Sequence, residues 1–194
     1  MSNHMSATPA ENLWWSDVLE NGPGSPHAAY FDINWHPVKE ELRNRILLPI
    51  LGDQYGQVLE SGELKREYRE GAFCLRYYQS LLPIDSRTYR MILTHGLPAL
   101  REAQPNDSAE LRELESIVTA LEHLPERTET EPGIVAERQR ENEVIKGRLR
   151  MLTERAAAVA EFIRRNVQEF NGTPEDPHSY DLLDKLLDRG RVIC

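Results

Sequence analysis

The stretch Asp107-Ser108-Ala109-Glu110-Leu111-Arg112-Glu113-Leu114-Glu115-Ser116-Ile117-Val118-Thr119-Ala120-Leu121-Glu122-His123-Leu124-Pro125 decides the fold class of this chain. Leu111, Leu114, Ile117, Val118, Leu121 and Leu124 recur at helical spacing and form one apolar stripe. Asp107-Ser108 offers side-chain oxygens to the free amides of the first turn, and Pro125 ends the helix. Such a stripe packs either into the core of its own chain or onto a partner helix. Both readings stay open, and exposure separates them: a core stripe is buried.

The helical character continues toward the C-terminus. Thr128 to Gly133 reads as a polar linker. A long helical region is predicted from about Ile134 to Phe170, with Ile145, Leu149, Leu152, Val159, Phe162, Ile163 and Phe170 as its apolar positions. Their register shifts between Thr153 and Ala157, so two helices or one bent helix are expected. Asn171-Gly172 closes this region, and Ser179 is expected to cap a last helix from Tyr180 to Arg189. On the N-terminal side, Asp85-Ser86 predicts a helix to about His95, stopped by Gly96.

Before residue 85 the composition changes. Pro9, Gly22, Pro23, Gly24 and Pro26 punctuate an irregular region, with short helices expected from Asn12 to Leu19 and from Pro37 to about Asn44. Ile46 to Leu51, interrupted by Pro49, reads as an edge or bulged strand. Glu63–Tyr68 and Ala72–Tyr78 flank Arg69-Glu70-Gly71, a three-residue hairpin loop with glycine where positive φ is wanted. Phe73, Leu75 and Tyr77 share one face, and Cys74 points the other way. The expected class is α+β, mostly α, with a small antiparallel β patch near residues 46–84. Strand–helix alternation is absent, so this is not a complete (β/α)8 barrel. Two parts are expected in one domain: an aromatic-rich loop region with the sheet (1–85) and a helical subdomain (86–194).

The formal net charge of -9 argues against binding nucleic acid or an anionic membrane, both of which call for a basic face. No apolar run reaches membrane-spanning length and no leader pattern stands at the start, so the cytoplasm is the expected compartment. Cys74 and Cys194 do not make a disulfide framework. None of His4, His27, His36, His95, His123 and His178 pairs with another at ligand spacing, so no metal is expected. Neither a nucleophile elbow nor a phosphate-cradling glycine loop is present, and the sequence places no two of its 32 acidic side chains as a catalytic pair. Trp14, Trp15, Tyr30, Phe31 and Trp35 crowd together among Asn, Asp and His. Such rings stack on sugar faces or form the core under an irregular region.

Several motifs, in order along nearly the whole chain, resemble the malto-oligosyltrehalose synthase family. They are Glu11-Asn12-Leu13-Trp14-Trp15-Ser16-Asp17-Val18-Leu19-Glu20-Asn21-Gly22-Pro23, then Ala29-Tyr30-Phe31-Asp32-Ile33-Asn34-Trp35, then Ile46-Leu47-Leu48-Pro49-Ile50-Leu51-Gly52 with Tyr55-Gly56. Phe73-Cys74-Leu75-Arg76-Tyr77-Tyr78, Leu82-Pro83-Ile84-Asp85 and Phe170-Asn171-Gly172-Thr173-Pro174-Glu175-Asp176-Pro177 with Ser179-Tyr180-Asp181 follow.

The resemblance implies a place in the α-amylase clan of retaining enzymes. Within that clan, members of the malto-oligosyltrehalose synthase family isomerise the reducing-end α-1,4 linkage of a malto-oligosaccharide to α,α-1,1 in trehalose biosynthesis. It also implies that this chain is an insertion after the third strand of a (β/α)8 barrel, that the catalytic carboxylates lie outside it, so that no catalytic residue is assigned here, and that no metal or organic cofactor is needed. Asn3-His4-Met5 is similar to the end of the signature on that strand, where His4 would bind the glucose at the cleavage point. Met1-Ser2 replaces the family's upstream Asp and Pro, which leaves Asn3 and His4 either as that signature's tail or as unrelated to it. The closing Gly190-Arg191-Val192-Ile193-Cys194 departs from the pattern.

The expected role is to enclose substrate, with Asn3, His4, Trp14, Trp15, Asn21 and Tyr55 facing sugar. The expected partners are a malto-oligosaccharide, the remainder of the barrel and, for the isolated chain, a second copy. The alternatives are a helical interaction module and an independent malto-oligosaccharide-binding domain.

Overall fold

The structure, a computed structural model, describes residues 12–47, 50–104, 108–173, 176–190 and 192–193. Asn3, His4, Pro9, Pro49 and Asp107 lie outside the described residues.

Asn12 opens the first helix, α1 (Leu13–Asn21), by accepting the Trp15 amide at 3.1 Å on its side-chain oxygen. The helix stops at Gly22, whose φ of 56° is easy only for glycine. Three single 3-10 turns follow, at Gly22–Gly24, Ala28–Tyr30 and Glu40–Leu42. The last is all that forms of the helix expected over Pro37–Asn44. It buries no residue, so nothing compensates the entropy of ordering a longer helix.

β1 (Ile46–Leu47) and α2 (Tyr55–Glu60) lead into a meander of β2 (Leu64–Arg69), β3 (Ala72–Tyr77) and β4 (Ser80–Pro83). The three are antiparallel in the order β2-β3-β4. The rest is helical: α3 (Tyr89–Thr94), α4 (Leu97–Ala103), α5 (Ala109–His123), α6 (Pro132–Arg155), α7 (Ala157–Phe170) and α8 (Asp181–Gly190), ending on β5 (Val192–Ile193). The class is therefore α+β, mostly α, and the described residues form no barrel.

Two strand expectations need correction. The β2–β3 loop holds two residues, not three, because Arg69 pairs with Ala72. Glu70 and Gly71 carry φ of 48° and 87°, the double positive-φ pattern whose twist matches a hairpin's strands. Ile46–Leu47 does not join this sheet. It pairs in parallel with Val192–Ile193 from the far end of the chain.

Phe73, Leu75 and Tyr77 are buried on one face of β3, as their spacing predicts. They belong to one continuous cluster that also takes in Val18 and Leu19 of α1 and Leu114, Leu149 and Phe162 of the helices. The tip of the hairpin sits directly on α6, since a Cβ at Gly71 would lie 2.0 Å from the Lys146 carbonyl oxygen.

The helical stripe is a core stripe. Leu114, Ile117, Leu121 and Leu124 are buried, with Leu111 and Val118 partly buried beside them. Ser108 caps α5 by accepting the Leu111 amide at 3.2 Å. On the wet side, Arg148 of α6 forks onto both oxygens of Glu113 at 2.9 and 3.1 Å. The register shift marks a real break: Ala156 is extended, at φ −117° and ψ 90°, and separates α6 from α7.

Asp85 caps a 3-10 turn at Ser86–Thr88, which runs on into α3. Gly96, at φ 67°, stops α3, and the chain restarts at once as α4. The buried Asn166 of α7 donates to the carbonyls of Ile92 and His95 at 2.7 and 2.9 Å, satisfying the end of α3. Ser179 does not cap the last helix. Its hydroxyl oxygen accepts the Thr173 amide at 2.7 Å, and α8 grows out of the 3-10 turn Pro177–Tyr180. No helix among the described residues is long and apolar enough to cross a membrane.

Candidate functional site

Neighbouring residues on a helix point roughly 100° apart, and α1 uses this to divide its two tryptophans. Trp15 turns inward, 9% exposed, against Phe31 with ring centroids 5.0 Å apart. Trp14 turns outward and stays 47% exposed. The loop after Gly22 brings two more rings to it. His27 lies 5.2 Å from Trp14 at an interplanar angle of 11°, and Tyr30 lies 5.3 Å away, tilted by 36°. His27 and Tyr30 are 6.0 Å from each other. Rings stacked on opposite faces of one indole would be at least about 7 Å apart, two stacking distances. The pair therefore does not sandwich Trp14, and one indole face is left uncovered by these two rings. Tyr30 is itself 57% exposed.

Beneath this surface lies a buried polar network. The Asn21 amide donates to Asp17 at 2.9 Å and accepts from Nε of Arg138 at 3.2 Å. Arg138, 2% exposed, also donates to Asp85 at 2.8 Å and to the Pro125 carbonyl. Glu20 accepts from the Ser86 hydroxyl at 2.9 Å, the Asn142 amide at 2.8 Å and the Lys146 ammonium at 2.7 Å. Burial alone would lower the Lys146 pKa, but Glu20 and Glu143 beside it hold the ammonium above its ordinary value. Arg127 donates to the Gly190 carbonyl at 2.8 Å and lies under Gly22, where a Cβ would meet its Nε at 2.4 Å.

Glu20 and Asp85 are the buried carboxylates here, and both are held by cations and amide donors. Among the described residues, no group of three or more His, Cys, Asp or Glu is placed to hold a metal ion.

The expected sugar-facing residues thus fall in different places. Trp14 is on the surface, Trp15 in the core, and Asn21 in the buried network with its amide engaged. Tyr55 lies on α2, where its hydroxyl donates to Asp184 of α8 at 2.8 Å. Asn3 and His4 are outside the described residues. His27, Asp17 and Ser25 were not singled out by sequence reasoning. Only the neighbourhood of Pro26-His27 to the aromatic run hinted at His27.

Depressions also mark the surface around and beyond this network. A groove of about 330 Å³ beside α1 is lined by Leu13, Arg69, Leu81, Pro83 and Lys146. A polar depression of about 410 Å³ between α3 and α5 has Arg87 paired with Glu126 at 2.9 Å and Arg90 with Glu122 at 3.4 Å.

No family model matches the chain, and no solved structure matches it. Over 44 residues it is 48% identical to proteins of Mycobacterium tuberculosis, strains CDC 1551 / Oshkosh and ATCC 25618 / H37Rv, both assigned the name maltooligosyl trehalose synthase. The likeness covers 23% of this chain and 5% of each relative.

Proposed function

We propose that this chain serves trehalose biosynthesis as a substrate-enclosing insertion of a malto-oligosyltrehalose synthase. It lays an aromatic surface against a malto-oligosaccharide, while the remainder of the parent barrel supplies the reacting carboxylates. The observation that carries this reading is the 44-residue stretch at 48% identity to proteins of that name. The exposure of Trp14 fits it, since an indole face packs on the apolar face of a glucose ring.

The chemistry explains why an enclosing piece would be useful. Converting an α-1,4 to an α,α-1,1 linkage requires the glucosyl unit to be passed to the detached glucose rather than to water. Walls that exclude water favour that transfer. Trp14 and Tyr30 contribute the surface in this account. Trp15 and Asn21 hold it from beneath, and Tyr55 fixes α2 on α8.

Retaining transfer needs two carboxyl groups about 5 Å apart at the scissile bond. The chain alone is accordingly expected to leave the reducing ends of maltopentaose unchanged. Loss of reducing ends on incubation with this chain would overturn the division of labour proposed here.

The helical-module reading loses its motive, because the stripe it would use is buried. An independent sugar-binding domain remains the second reading, favoured by the exposure of Trp14 and Tyr30.

A further inference from the structure

We infer that Asp17 and Ser25 are positioning residues for the Trp14 surface. They fix His27 against the indole, so that the sugar-facing ring is set before ligand arrives. The inference rests on the sugar-binding reading above.

Asp17 lies one helical turn after Trp14 on α1, and its carboxylate reaches across to the loop. Both oxygens are used. One accepts the Asn21 amide at 2.9 Å, and the other accepts the Ser25 hydroxyl. The same Ser25 oxygen accepts the backbone amide of His27 at 3.0 Å. Ser25 and Asn21 are buried, so water does not compete strongly for these bonds. Asn21 is in turn held by Arg138, which is locked onto Asp85. A continuous hydrogen-bonded path therefore runs from α6, through Asn21, Asp17 and Ser25, to the backbone of His27.

The ring at the end of that path lies nearly parallel to Trp14, at 11°. An exposed tryptophan on a helix surface has its Cα fixed but several rotamers open to it. The His27 stack selects among them. Order present before binding need not be created by the ligand, and this is where the affinity gain arises.

The test is made on the full chain with Ser25→Ala, which removes both the donor to Asp17 and the acceptor for His27. The first readout needs no sugar: the near-ultraviolet circular dichroism of the stacked rings, with the Trp14 share defined by Trp14→Phe. The second is affinity for maltopentaose. The expected result is loss of the Trp14 band, with affinity weakened roughly threefold to tenfold and the far-ultraviolet helical signal retained. Ser25→Thr, which keeps the hydroxyl, should restore both.

Asp17→Asn is read alongside in case Ser25→Ala does not fold, and the same loss of the band is expected. A Trp14 band unchanged in the folded variants overturns the inference, whatever the sugar does. If the unsubstituted chain binds no maltopentaose, the sugar reading fails by itself, and the band still decides whether Asp17 and Ser25 order the ring.

Discussion

Asn171 spends both groups of its side-chain amide on the backbone of Arg66: its oxygen accepts the Arg66 amide, and its nitrogen donates to the Arg66 carbonyl at 3.0 Å. β2 is an edge strand of the three-stranded sheet, and an edge presents unpaired backbone groups. The amide of Asn171 takes the place a fourth strand would occupy, and it ties the end of α7 to the sheet.

Asn171→Ala should therefore destabilise the fold by about 2 kcal/mol, the worth of two hydrogen bonds whose backbone partners are left bare. Urea unfolding at fixed pH measures this. A midpoint equal to that of the unsubstituted chain would mean the sheet edge does not need the cap.

Gly71→Ala should be costlier than an ordinary surface change. The residue holds φ of 87°, and the new methyl would collide with the Lys146 carbonyl oxygen. Strain of this kind costs about 1–3 kcal/mol before the hairpin shifts off α6. The check is thermal unfolding, beside Gly56→Ala, where a Cβ meets nothing within 4 Å.

The leucine stripe of α5 makes a third prediction. Leu121→Ala should cost about 2–5 kcal/mol, because Leu121 is fully buried in the shared core. A stripe that served only to dock a partner would tolerate this change in the isolated chain, so a stability loss below about 0.5 kcal/mol would contradict the burial.

Two carboxylates give the fold a defined response to acid. Hydrogen bonds from Arg148 hold Glu113 below the ordinary glutamate value of 4.5, and those from Arg76 do the same for Glu67. A group with a depressed folded pKa stabilises the protein above its unfolded value. It loses that contribution as the pH falls through the folded one. Stability should hold at neutral pH and decline once the pH drops below the ordinary glutamate value. Glu113→Gln should be less stable at neutral pH and should lose less on going to about pH 3. Chemical denaturation at the two pH values measures it, and identical pH slopes would contradict it.

How much of this could be read beforehand depended on how local the cause was. The α5 stripe and the cap at Ser108 are short-range chemistry, so spacing and residue type were enough. The break at Ala156 showed as a slip in apolar register. Hidden features depend on distant partners. Ile46–Leu47 reads as part of the sheet until Val192–Ile193 arrives beside it. Arg66, Arg127 and Arg138 are all buried, which no local pattern announces, and Arg66 has its pKa pulled down to about 10 by that burial. Within the candidate site, one aromatic run contains both a core ring and a surface ring. Only helix geometry separates Trp15 from Trp14. The contribution of His27 required the loop after Gly22 to fold back, which no spacing rule reports.

Titration of maltopentaose into this chain, with Trp14→Ala alongside, measures whether the Trp14 surface faces sugar. Millimolar or tighter binding is expected, on the order of 4 kcal/mol, and the substitution should abolish it while the helical signal is retained. Heat that is unchanged by removing the indole, or no heat at any reachable sugar concentration, would contradict a sugar-facing role for this surface.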